Sequence, residues 1–221
     1  MSEPRNRPAA DRSFVVGLTG GSGVAYGLRL LDVLLRDGAH VQLVASDAAR
    51  RVLRHEAGRD LRAGADGLRE LVAPELRERL AVFPIDSVES TPASGSAPID
   101  GVVICPCSMG TAARIAHGFS TNLIERAADV ALKERRRLIV VPRETPLSTI
   151  HLRNLLLLAE AGAVVLPAMP GFYHRPATVA QLVDFVVARI LDHLGVTHEL
   201  VARWRTPDPD ATSPWNEGEG P

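Results

Sequence analysis

Phe14-Val-Val-Gly-Leu-Thr19-Gly20-Gly21-Ser22-Gly23 passes from a short apolar run into a glycine-rich turn, and a helical pattern opens directly behind it. An apolar run of that length, closed by glycines, reads as a buried strand. After the turn, Val24, Leu28, Leu31 and Leu35 keep helical spacing, and Gly38 stands where a C′ glycine belongs. Val41 to Ala45 reads as a second strand, ended by Ser46-Asp47, either of which suits a helix N-cap, and the helix that follows ends near Gly58. The beat then returns further along the chain. Val102-Val-Ile-Cys is a strand ended by Pro106, Ser108 opens a short helix stopping at Gly118, and Asn122 caps a helix through Arg135. Leu138-Ile-Val-Val is a strand ended by Pro142, and Ser148 caps a helix to Ala161. Ala163-Val-Val-Leu is a fifth strand, and Thr178 caps a long helix ending at Gly195. Between these halves, residues 59–100 read as one charged helix around 67–80 and then a loop, Ser90-Thr-Pro-Ala-Ser-Gly-Ser-Ala-Pro. Five strands alternating with helices imply right-handed crossovers and a parallel sheet covered on both faces. The expected fold is therefore α/β, doubly wound and Rossmann-like, in three layers.

Composition narrows the function classes. The chain has 221 residues, enough for one domain with one sizeable core. Lys and Arg total 25 against 26 Asp and Glu, a balance that argues against binding nucleic acid by bulk charge or a membrane by a polybasic anchor. The run Leu155 to Ala159 is far short of the ~20 apolar residues a bilayer span needs, and the polar first dozen residues hold no signal-peptide core. Two cysteines, Cys105 and Cys107, are too close together to staple distant segments, so a reduced, cytoplasmic setting is expected. Residues 206–221 carry four prolines and four acids without a Lys or Arg; that segment and residues 1–12 are expected to be disordered tails around a single domain of residues 13–205. Without the four acidic charges of the C-terminal segment, residues 1–205 carry a formal +3, which suits an anionic ligand.

In a doubly wound sheet, ligands bind beyond the carboxyl ends of the strands. Those ends are Gly20 to Gly23, Ser46, Cys107 to Thr111, Arg143-Glu144 and Met169 to Arg175. Gly20-Gly-Ser-Gly lets a ligand approach backbone at a helix N-terminus, which favours phosphate or flavin, although it is neither a P-loop nor GxGxxG. Cys105-Pro-Cys-Ser-Met-Gly-Thr offers the hydroxyls of Ser108 and Thr111 at a helix start, whereas its two thiols lack the further ligands of a zinc site. Arg126 and Lys133 lie two helical turns apart on one stripe and could meet one anion together. Lys133 also opens a basic run; its companions Arg135, Arg136 and Arg137 read as dipole complementation on a solvated face. Arg143-Glu144 is either a functional charged pair or a structural salt bridge, and Phe172-Tyr173-His-Arg-Pro either a lid or simple packing. Arg189 has apolar helical neighbours in Phe185 and Val186, which draws it towards the core side and demands an anionic partner.

From about Phe14 to Trp204 the chain resembles the UbiX family of flavin prenyltransferases, formerly described as aromatic-acid decarboxylase subunits. The segments that carry the resemblance are Gly20-Gly-Ser-Gly, Pro92-Ala-Ser-Gly-Ser, Cys105-Pro-Cys-Ser-Met-Gly-Thr, the long run Asn122-Leu-Ile-Glu-Arg-Ala-Ala-Asp-Val-Ala-Leu-Lys-Glu-Arg-Arg, Val141-Pro-Arg-Glu-Thr-Pro-Leu-Ser and Pro170-Gly-Phe-Tyr-His-Arg-Pro. The chain departs from the family at Gly21, where alanine is usual.

The resemblance implies an enzyme that joins a dimethylallyl group from dimethylallyl monophosphate to reduced FMN without a metal. The product, prenylated FMN, would serve a UbiD-type decarboxylase, and the enzyme would be a dodecamer with active sites at subunit interfaces. It implies that Gly20, Gly21, Ser22, Ser46, Ser108, Met109, Gly110, Thr111 and Arg126 hold FMN. Lys133, Arg143, Tyr173 and Arg189 would bind the prenyl phosphate. Flavin N5 would attack C1′ of the allyl group as phosphate leaves, and ring closure would join C6 to C3′, with Ser22, Lys133 and Glu144 as catalytic residues. Two alternatives stand beside it: a flavin-dependent decarboxylase of peptidyl-cysteine type, whose motif has asparagine where this chain has Gly110, and a non-catalytic flavin-binding decarboxylase subunit.

Overall fold

The computed structural model describes residues 9–62 and 64–201. Their order is β1 (Ser13–Leu18), α1 (Val24–Arg36), β2 (His40–Ala45), α2 (Asp47–Ala57), α3 (Gly64–Arg69), β3 (Leu80–Phe83), β4 (Gly101–Cys107), α4 (Met109–Ala116), α5 (Leu123–Lys133), β5 (Arg137–Pro142), α6 (Thr149–Glu160), β6 (Val164–Val165) and α7 (Val179–Leu194). All paired strands are parallel, in the order β3-β2-β1-β4-β5-β6, and the order reverses between β1 and β4. The doubly wound α/β expectation holds, and the reversal places a crevice at the carboxyl ends of β1 and β4.

One apolar cluster joins β1, α1 and α7, with Phe14, Leu30, Leu34 and Ile190 at its centre; a second joins β4, α4 and α5 through Ile104, Ala112 and Ala128. Gly27 is what lets α1 sit so low on the sheet: a Cβ there would stand 2.4 Å from the Cys105 carbonyl oxygen. Ser46, Ser108, Asn122, Ser148 and Thr178 each cap their helix by accepting from a backbone N–H three residues on, as expected from sequence.

Four expectations are corrected. The charged helix around 67–80 is instead α3, a 3₁₀ segment at Pro74–Arg79 and the additional strand β3. Proline at position 74 breaks the helical pattern, and Leu80-Ala-Val-Phe pairs with β2 along only one side as a sheet edge. β4 runs through Pro106 to Cys107 rather than stopping before the proline, with a register irregularity at that point. Residues 9–12 are packed onto the domain. Ala9 is buried, and Arg12 donates to the carbonyls of Leu194 (2.8 Å) and Gly195 (3.0 Å), tying the approach to β1 to the end of α7. The remaining tail assignments, residues 1–8 and 206–221, and the domain's last residues 202–205 lie outside the described residues. Arg136 and Arg137 are not solvated dipole partners. Arg136 donates to the carbonyls of Ser94 and Gly95, and Arg137 to that of His193.

Candidate active site

Thr19 is the pin of the crevice. It is 2% exposed; its hydroxyl donates to the Pro106 carbonyl (2.9 Å) and accepts from the Ser108 N–H (2.7 Å), so the ends of β1 and β4 are bound side by side. Gly21 lies against the Cys107 carbonyl, where an added Cβ would come within 3.3 Å, and Gly20 lies against Ala48 of α2. Gly23 has φ of +94°, a conformation that glycine adopts freely, and it turns the chain into α1. The first N–H groups of α1 have no side-chain cap of their own; instead the Glu56 carboxylate at the end of α2 accepts from Gly23 (2.9 Å) and Val24 (3.0 Å). Burial alone would raise the Glu56 pKa, yet hydrogen bonds from Ser22, Val24 and Gly23 and the nearby Arg143 charge bring it below the ordinary value. Tyr26 moves the other way: burial and Cys105 hold its phenol protonated against the pull of Arg143. Arg143 therefore faces Glu56 and Tyr26, and its Nε is buried without a hydrogen-bond partner.

On the other side of the crevice, Ser108 Oγ accepts from the Thr111 N–H (3.3 Å) and lies 3.0 Å from Thr111 Oγ1. Ser46 caps α2 nearby, and a cavity of about 310 Å³ opens between Ala45, Asp47, Arg50 and Phe83 at the ends of β2 and β3. A glycine-rich turn at the end of β1, a helix N-terminus with hydroxyls, and a buried guanidinium Nε lacking an acceptor fit a flat, anionic ligand such as FMN. Both thiols are fully buried, and burial pushes Cys107 up to about 12 and Cys105 higher still. They are inert walls of this crevice rather than reactive groups.

The chain brings together Gly20, Gly21, Ser22, Ser46, Ser108, Met109, Gly110, Thr111, Arg143 and Glu144 at one edge of the sheet. Glu144 accepts from the Thr145 N–H, and among the described residues it forms no ion pair with Arg143. Tyr173 follows β6 on the same edge, exposed and edge-on to Phe185 at 5.6 Å. Arg126 is one turn into α5 and pairs with Asp129 (3.1 Å).

Two expected members stand elsewhere. Lys133 ends α5, where β5 begins, so the six residues of β5 put it about 20 Å from Arg143 at that strand's far end. It pairs with Glu134 beside Gly95, and Arg126 and Lys133 each have a carboxylate of their own rather than a shared anion. Arg189 is exposed on α7 and bonded to Asp192 (2.7 Å), which also holds His198 (3.1 Å). The reading of Arg189 as drawn into the core is corrected: Phe185, one turn before it on the same stripe, is itself only partly buried, and the core face of α7 is carried by Val186, Val187, Ile190, Leu191 and Leu194. The sequence reading also missed Thr19, Tyr26 and Glu56. A strand-terminal threonine before the glycine turn was a visible signal for the first; nothing in the spacing of Glu56 announces that α2 folds back over the crevice.

Residues 2–191 match the Flavoprotein family model. The flavin prenyltransferase UbiX of Pseudomonas aeruginosa is 48% identical over 192 residues, 86% of this chain and 92% of its own. The chain belongs to the UbiX family of flavin prenyltransferases. Among solved UbiX structures, AnUbiX in complex with FMN and dimethylallyl pyrophosphate superposes with a TM-score of 0.79 at 39% identity, over 89% of this chain and 98% of its own. A dodecameric FMN-dependent UbiX-like decarboxylase from Escherichia coli O157:H7 gives 0.77 at 38% identity, over 88% of this chain and all of its own. The UbiX likeness thus spans nearly the whole described domain, including both walls of the crevice.

Proposed function

We propose that this chain joins a dimethylallyl group to reduced FMN, and that the crevice between β1 and β4 is where it does so. The observation that carries the reading is Arg143, whose buried Nε lacks an acceptor beside the Ser22–Glu56 pair and the capped start of α4. Reduced FMN, as the acceptor, supplies the nucleophilic atoms when bound. Gly20, Gly21, Ser22, Ser46, Met109, Gly110 and Arg126 line its place, with Ser108 and Thr111 beside it at the start of α4. Arg143 draws charge from the donor's phosphate as the carbon–oxygen bond breaks, the effect that preorganised cations exert on a departing oxyanion. Tyr173 and Phe185 shield the allylic group from water. Glu144, Glu56 and the Ser22 hydroxyl are placed to move the proton that the acceptor loses.

Lys133 and Arg189 complete the phosphate site from neighbouring copies, since neither reaches Arg143 in its own chain. The exposed Ile150, Leu152 and Leu156 of α6 support association into a homo-oligomer of dodecameric size. No helix among the described residues is long and apolar enough to cross a membrane, and we place the enzyme in the cytoplasm. The product passes to a decarboxylase of UbiD type. The test is anaerobic incubation with reduced FMN and dimethylallyl monophosphate, followed by mass spectrometry of the flavin. A gain of one dimethylallyl unit is expected, and recovery of unmodified FMN with both the monophosphate and the diphosphate would refute the reading.

A further inference from the structure

Glu125 is fully buried on α5, the one acidic side chain in that state among the described residues. One carboxylate oxygen accepts from Arg114 Nε, and the other from the N–H (3.0 Å) and hydroxyl (2.6 Å) of Thr121. Burial raises its pKa, but Arg114 and Thr121 outweigh that and keep it ionised. Arg114, on α4, spends its Nε on Glu125 and turns Nη2 to Thr111 Oγ1 at 3.4 Å, while Nη1 lies beside Gly110. The chain of contacts continues from Thr111 Oγ1 to Ser108 Oγ at 3.0 Å.

The direction of the Arg114 bond is set by charge. A guanidinium only donates, so Thr111 Oγ1 accepts from Arg114, and either hydroxyl can donate in the Thr111–Ser108 contact. Ser108 Oγ accepts from the Thr111 N–H, so Arg114, Thr111 and Ser108 form one continuous set of contacts that ends at the crevice. We propose that Glu125 and Arg114 are positioning residues for flavin: through Thr111 they hold the Ser108 hydroxyl in place, so that this wall of the crevice presents it to a polar atom of FMN. The proposal rests on the reading that FMN lies at Ser108–Thr111. Neither residue touches the flavin; Arg114 acts from the outer face of α4, anchored by a carboxylate that the second helix buries.

The experiment is FMN titration of the purified protein by fluorescence quenching, with apo melting temperature measured in parallel. Glu125→Gln and Arg114→Met are each expected to weaken FMN at least tenfold, and Thr111→Val to do the same. In the Thr111→Val background, Glu125→Gln and Arg114→Met should add less than twofold, because their route to the ligand is already cut. Thr121→Val, which loosens Glu125 from the other side, should lower the melting temperature and leave FMN affinity within threefold. Full additivity of Arg114→Met and Thr111→Val would overturn the proposal, as would unchanged FMN affinity in a folded Arg114→Met protein. Unchanged affinity in Ser108→Ala and Thr111→Val would instead remove flavin from this wall. Arg114 is half exposed, so its variant reports even where Glu125→Gln does not fold.

Discussion

Thr19 shows how much one hydroxyl can decide. It is buried, donates to Pro106 and supplies the acceptor for the Ser108 N–H, so its loss leaves the Ser108 N–H without that partner, while the Pro106 carbonyl keeps the Thr19 N–H (3.2 Å). Thr19→Val keeps the shape and removes both bonds. At roughly 1–3 kcal/mol for one buried orphan, the expected cost is about 1–3 kcal/mol, read as a shift in denaturant midpoint at constant m. FMN affinity should fall with it, because the Ser108 turn would no longer be held against β1. An unchanged midpoint would mean that water replaces the hydroxyl. Glu56 makes a second residue-scale prediction. It and Glu125 both have folded-state pKa values below the ordinary carboxylate range. A depressed pKa contributes stability that is present above the unfolded value, near 4.3, and is lost as pH falls through the folded one. Melting temperature should therefore change little on this account between pH 7 and 5 and fall below about pH 4. Glu56→Gln should make the acid side of that profile shallower, and an identical profile would remove Glu56 from the stability of the turn.

Among the elements, β4 carries a clear expectation. Its two thiols are buried and their pKa values raised, so native protein at pH 8 should leave Cys105 and Cys107 unlabelled by a thiol reagent, with both reacting once unfolded. Rapid labelling of either in folded protein would show that the carboxyl end of β4 opens. The elements also show where sequence was readable. The capping residues Ser46, Ser108, Asn122, Ser148 and Thr178 mark helix starts because their oxygens satisfy N–H groups locally, and local chemistry is written locally. β3 escaped because four residues between a charged 3₁₀ segment and Pro84 have no periodicity to display, and only pairing with β2 makes them a strand. Arg189 misled because Phe185, its apolar neighbour one turn back, lies on a stripe that is only partly buried and does not mark the core. Glu56 was hidden because its place depends on α2 returning over the crevice, and Tyr26 because its place depends on α1 packing beside Cys105 and Arg143, both tertiary facts.

For the whole molecule, the distribution of cations sets the main prediction. Arg143 stands at the carboxyl edge of the sheet, Lys133 at the opposite edge, and Arg189 on the outer face of α7 towards that same edge. If neighbouring copies complete each site, Lys133→Ala and Arg143→Ala are both inactive alone, yet subunits dissociated, mixed and reassembled should recover a fraction of wild-type prenylation. Absence of recovery in mixed oligomers of confirmed composition would place the whole site within one chain. Association itself has a handle on α6: Leu156→Glu puts a charge into the exposed apolar group of Ile150 and Leu152, and light scattering should report a smaller particle with an intact fold.

The Arg114–Glu125 bridge has one more consequence, for how this sequence can change over time. Removing one partner of a buried pair typically costs 3–5 kcal/mol, whereas replacing both by apolar groups of similar volume is often neutral or stabilising. In a saturation library Glu125, the buried partner, should look almost immutable when varied alone, and the half-exposed Arg114 less so. A library that varies the two together should recover folded proteins with a leucine or methionine pair, and those survivors would melt normally while holding FMN weakly. The bridge is thus an epistatic lock, in which stability forbids Glu125 from changing first and flavin selection forbids the destination.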